Sequence, residues 1–104
     1  EKKELVWIPL TNKDFQDAGA SPKDLAFVFE EIKNSFWSVP SVLLLWESHG
    51  SGPLVRGLFY SRNNVLTERI LNSFESVSKG RNVLFLIREP ELEAAKEQVL
   101  ALIN

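Results

Sequence analysis

The sequence predicts one α+β domain with elements in the order β-α-β-β-α-β and a further helix at the C terminus. Three observations carry the prediction. Short apolar runs at 5–10, 41–48, 54–62 and 81–88 alternate with longer segments whose apolar residues recur every three or four positions. Turn and cap residues punctuate the boundaries, among them Pro22, Asn63, Asn64, Gly80 and Pro90. Five residues, "HGSGP" (49–53), separate two of the runs, a length that suits a hairpin loop.

The first run, "LVWIPL" (5–10), reads as a strand, and Pro9 favours an edge position because proline has no N–H for a sheet ladder. "TNKDFQDAGA" (11–20) reads as a polar loop. "SPKD" (21–24) is a helix start, with Ser21 as N-cap, Pro22 at the first helical position and Asp24 three residues after the cap. That helix is expected to run to Phe36, with Leu25, Val28, Phe29, Ile32 and Phe36 on one face and Phe27 on the other. "SVLLLWES" (41–48) and "LVRGLFYSR" (54–62) form the hairpin. A second helix is expected from Asn63 or Asn64, carrying Leu66, Ile70, Phe74 and Val77 and closing at Gly80 as a left-handed C-cap. "RNVLFLIR" (81–88) is a strand. "EPELEAAKEQVLALIN" (89–104) is a helix with the stripe Leu92, Ala95, Val99 and Ile103.

The first six elements resemble the ferredoxin-like, or split β-α-β, arrangement in order. That resemblance implies a four-stranded antiparallel sheet with two helices on one face, and a small three-layer α/β sandwich is the alternative. The strands do not alternate as a half-exposed sheet requires. Leu43, Leu44, Leu45 and Trp46 run together, as do Val83, Leu84, Phe85, Leu86 and Ile87, which implies burial on both faces. The second face is then covered by the C-terminal helix, by a second copy, or by the rest of a longer protein.

Composition narrows the function classes. The 104 residues suit a single domain, and 44% apolar content with 7 Phe and 3 Trp is enough for one core. A net charge of −2 gives no global attraction to nucleic acid or anionic membranes. No apolar run approaches a bilayer-spanning length. With no cysteine there is no disulfide or thiolate chemistry, and with no methionine the segment 1–104 reads as a domain of a larger protein. The compartment is open, with the cytoplasm slightly favoured.

Each chemical motif has a plainer explanation. Glu47, Ser48 and His49 adjoin, but neighbours on an extended chain point to alternate sides, so they do not converge as a triad must. "GSG" (50–52) is followed by Pro53 and a strand, where a phosphate loop needs a helix N-terminus. Glu89, Glu91 and Glu93 read as favourable charge at a helix start. No cofactor and no metal are expected.

"RGLFYSR" (56–62) resembles in part the RNP1 signature of RNA-recognition motifs, which share the β-α-β-β-α-β order. Arg56, Gly57 and Tyr60 fit it, whereas Leu58 stands where an aromatic is expected and Phe59 where a small residue is. The resemblance implies base stacking on Tyr60, with Trp7 as a second platform. The segment 54–88 is also basic, with Arg56, Arg62, Arg69, Lys79, Arg81 and Arg88 against Glu68 and Glu75.

Phe27, Trp37, and Trp7 with Leu58 and Tyr60 on a sheet face left open by the first two helices, have the composition of an interface. The leading reading is a non-enzymatic protein–protein assembly or regulatory module of a larger protein, or a self-associating one. Trp7, Phe27, Leu58 and Tyr60 are its apolar anchors, and Arg56 and Arg62 supply polar specificity. A small-molecule-sensing domain that uses Arg62 or Arg88 against an anion is second. RNA binding is third.

Overall fold

A computed structural model of the chain describes residues 5–19, 22–35, 40–48 and 54–103. The expectations for Ser21, Phe36, Trp37, His49 and the "HGSGP" loop fall outside those residues. Strand β1 (Leu5–Leu10) lies at one edge of a five-stranded mixed sheet and pairs in parallel with β2 (Ser41–Ser48). An edge tolerates Pro9. β2 pairs antiparallel with β3 (Leu54–Ser61) in unbroken register from Ser41↔Ser61 to Ser48↔Leu54, as a hairpin requires. β3 then pairs antiparallel with β5 (Asn82–Ile87), and β5 with β4 (Glu75–Lys79), giving the order β1-β2-β3-β5-β4.

This corrects the ferredoxin-like expectation in two places. The first β-α-β unit is not split, because β1 sits directly beside β2 with no strand between them. The sheet also has a fifth strand. Residues expected as the end of the second helix leave it: α3 (Asn64–Ser73) stops, Phe74 is extended at φ −130°, and "ESVSK" forms β4. Gly80, expected as a helix cap, is instead the first residue of a two-residue hairpin loop between Lys79 and Asn82, with φ +62°. The Ser76 hydroxyl donates to the Leu71 and Phe74 carbonyls, both at 3.0 Å, tying the strand start to the helix end.

The polar loop expected at 11–20 contains helix α1 (Asn12–Ala18). Thr11 and Asp14 close a capping box: the Thr11 hydroxyl accepts the Asp14 N–H at 3.2 Å, and the Asp14 carboxylate accepts the Thr11 N–H at 2.8 Å. Gly19 ends the helix at φ +65°. A 3₁₀ turn (Pro22–Asp24) then leads into α2 (Leu25–Ser35). Leu25 and Phe29 are buried and Ile32 is half-buried, while Phe27 is 71% exposed on the opposite side, as its phase predicts.

Helices cover both faces, which explains the continuous apolar strands. On one face Leu43, Leu45, Val55, Phe59, Val83, Phe85 and Ile87 pack against Ile70 of α3 and against Ala95, Val99 and Ile103 of α4 (Leu92–Ile103). Phe74 stacks on Phe85 with ring centroids 5.3 Å apart. On the other face Val42, Leu44, Trp46 and Leu58 pack against Leu25 and Phe29 of α2, and Phe15 of α1 adds to their edge. Among the described residues no helix is long and apolar enough to cross a membrane.

Candidate docking face on the open half of the sheet

Strand register sorts the α2 face into three cross-strand rows. The first runs Val6, Val42, Tyr60, Asn82, Lys79 and the second Ile8, Leu44, Leu58, Leu84, Val77. The third runs Leu10, Trp46, Arg56, Leu86, Glu75. From β2 onward, burial falls along each row toward β4. In the second, Leu44 is 0% exposed, Leu58 7%, Leu84 half-buried, and Val77 57%. β5 makes the contrast sharpest: Val83, Phe85 and Ile87 are buried beneath α3 and α4, while Leu84 and Leu86, pointing the other way, are only half-buried.

The reason is where α2 lies. One polar latch ties it to the far strands. Lys33 Nζ donates to Asn82 Oδ1 at 2.9 Å and to Glu30 Oε2 at 3.1 Å, and Asn82 Nδ2 donates to the same Glu30 oxygen at 3.1 Å. Lys33 also stands over the Tyr60 ring, 4.5 Å from its centroid. Beyond this latch, toward Arg56, Leu86 and Val77, no described helix lies on the sheet.

The latch carries a pH dependence. The Asn82 amide, and then the Lys33 ammonium, hold the Glu30 carboxyl below its ordinary value. A lowered folded value stabilises the fold above the unfolded carboxyl range, and that stabilisation is lost as pH falls through the folded value. Glu30 is a half-exposed group, so the effect is expected below about 1 kcal/mol. Melting of wild type and Glu30→Gln, compared between about pH 3 and pH 7, is expected to differ at the upper end and converge at the lower. A gap that is constant across the range contradicts this role.

Two adjoining clefts open on the uncovered half. One, of about 220 Å³, has a floor of Leu25, Trp46, Leu58 and Leu84 and a rim of Lys23, Arg56 and Lys79. The other, of about 270 Å³, lies against Arg56, Glu75, Val77, Leu84 and Leu86. Arg56 and Leu84 line both, so the two form one groove. Glu75 faces Arg88, whose Nη2 donates to both of its carboxylate oxygens at 3.1 and 3.3 Å.

The residues singled out in the sequence are dispersed. Arg56 and Leu58 lie in the groove, as part of its rim and floor. Tyr60 is on the same face but beneath Lys33, so its ring is taken up within the fold rather than open for stacking. Trp7, expected beside Leu58 and Tyr60, belongs to the opposite face because its register partner is Leu43; it packs with the α3–α4 core under Lys96, whose ammonium is 5.4 Å from the ring centroid. The expected open face is thereby corrected: Leu58 and Tyr60 lie on the face that α2 covers. Phe27 is exposed, but on the outer side of α2 and away from the sheet. Arg62 follows the end of β3 with its side chain exposed, and its N–H donates to the Pro40 carbonyl at 2.9 Å.

Sequence reasoning missed Lys23, Val77, Lys79, Leu84 and Leu86 as one surface. Their common face depends on β4 being a strand, and "ESVSK", with Val77 as its one apolar residue, lacks the apolar–polar alternation that would announce one. Among the described residues no three histidine, aspartate or glutamate side chains gather as a metal-holding group.

Fold and face together define a small, compact α+β domain with a mixed five-stranded sheet, helices on both faces, and one half-sheet that no described helix covers. No protein-family model matches the chain, and no curated protein matches its sequence.

Proposed function

We propose that this domain is a non-enzymatic protein-interaction module, serving assembly or regulation, whose working surface is the open half-sheet of β3, β5 and β4. The observation that carries the reading is the one-sided burial of β5. Leu84 and Leu86 alternate with fully packed neighbours, and Val77 beside them is 57% exposed, so the sheet presents aliphatic side chains at a place where it could have been polar. An aliphatic floor bordered by Arg56, Lys23, Lys79 and the Glu75–Arg88 pair has the apolar centre and polar rim of an interface.

The test places the photo-crosslinking residue p-benzoylphenylalanine at position 77, with position 13 on exposed α1 as control, in the full chain expressed in its source cells. A discrete adduct with another polypeptide from position 77, and none from position 13, is the expected result. Equal diffuse labelling from both positions, or crosslinks from 77 confined to the same chain, overturns the reading.

A further inference from the structure

We infer that the groove takes an extended segment of a partner protein in which one large apolar side chain is flanked on both sides by carboxylates. The inference rests on the docking surface proposed above and specifies its occupant by chemistry. The smaller cleft has room for an anchoring side chain, and its floor of Leu25, Trp46, Leu58 and Leu84 is wholly apolar. Among the described residues its charged lining is Lys23, Arg56 and Lys79. This positive rim stands on a chain whose overall charge is −2, so it is a local feature and not a reflection of composition.

The placement of the cations sets the spacing. Arg56 is in the third cross-strand row on β3 and Lys79 in the first row on β4, two strands away. Strand geometry puts their Cα atoms roughly 16–17 Å apart, so they bracket the apolar floor and do not converge on one point. A carboxylate two residues before the anchor and another two residues after it, in an extended peptide, reach the two sides. Lys23, on the 3₁₀ turn beside Leu25, adds positive charge along the α2 side of the cleft.

The same features disfavour other occupants. A second copy docked by a twofold axis would set this cationic rim against itself. Single-stranded nucleic acid is held by exposed aromatic platforms beside the cations, whereas here Trp46 is 4% exposed and Tyr60 lies under Lys33.

The test is selection of short random peptides displayed on phage against the full chain, followed by fluorescence anisotropy on the selected peptides at low and high salt. The expected consensus is a Leu, Phe or Trp with Asp or Glu on both sides, and binding that weakens with salt. Lys79→Glu and Lys23→Glu, both exposed positions, are each expected to weaken binding about five- to tenfold, while Lys13→Glu on α1 changes it less than about twofold. Peptides without acids whose binding is abolished by Val77→Asp overturn this inference and leave the docking surface standing. Selected peptides indifferent to both Val77→Asp and Leu86→Asp overturn the two together. Oligouridine that binds as tightly as the peptides, with the same dependence on Lys79, overturns the inference in favour of nucleic acid. Light scattering that shows a dimer dissociated by Lys79→Glu overturns it in favour of a second copy.

Discussion

Phe59→Ala is expected to remove about 3–5 kcal/mol of stability, a large share of the roughly 5–15 kcal/mol available to a domain of this size. Phe59 is fully buried on β3, the central strand, with Leu43 and Val83 as its register partners on either side. It joins the core formed by the sheet with α3 and α4, so its loss leaves a cavity bounded by two layers that cannot both collapse into it. Denaturant melts followed by tryptophan fluorescence measure the change. Phe27→Ala is the matched control: the same atoms are deleted from a side chain 71% exposed, and the change is expected within about 0.5 kcal/mol. Equal losses from the two variants would contradict the core described here.

Two residues earlier on the same strand, the effect comes from adding an atom. A Cβ at Gly57 would fall 2.5 Å from Phe85 Cζ and 2.8 Å from Leu45 Cδ2, where carbon atoms prefer roughly 3.5–4 Å. Phe85 has little freedom to retreat, because it stacks on Phe74 and is only 2% exposed. Gly57→Ala is expected to destabilise by about 1–3 kcal/mol, and Gly57→Val by more, despite the poor strand propensity of glycine. A melt in which Gly57→Ala matches or exceeds wild type contradicts this packing. Gly57 was legible in the sequence only as part of a partial RNA-binding signature. Its place in the structure gives a different reason for the missing side chain, the close approach of Phe85 across the sheet.

How far sequence reasoning reaches depends on where each signal is local. The runs at 41–48, 54–62 and 81–88 announce strands, the first and last by apolar residues in unbroken succession, and both faces are indeed packed over β2 and most of β3. The stripe of Ala95, Val99 and Ile103 on α4 is equally local and is buried as expected. The error at 74–79 has a physical cause. Leu66, Ile70 and Phe74 do share the α3–α4 core, but Val77 continues their spacing by coincidence and points to the other face once the chain is extended. α1 leaves little apolar pattern in the sequence because it buries little beyond a partly covered Phe15; its local marks are the Thr-x-x-Asp box and Gly19.

The candidate surface was half legible for the same reason. Arg56 and Leu58 belong to a strand whose existence the sequence predicts, so their shared neighbourhood could be proposed. The apolar pattern groups Trp7 with Leu58 and Tyr60, but the register of β1 against β2 is a long-range property: Trp7 opposite Leu43 lies on the α3–α4 side, and a shift by one residue would reverse it. Lys79 and Val77 join Arg56 and Leu84 only through the β4–β5–β3 pairing, which no local pattern specifies.

Docking of a partner on the half of the α2 face that no described helix covers is what the proposed function and the proposed occupant share. Two-dimensional NMR of the labelled full chain, titrated with an acid-flanked apolar peptide from the selection, tests it most directly. Amide shifts are expected to concentrate at Lys23, Arg56, Val77, Lys79, Leu84 and Leu86, with Val65 on α3 and Ala101 on α4 unmoved. Shifts centred on α3 and α4, or spread evenly over the domain, would contradict it.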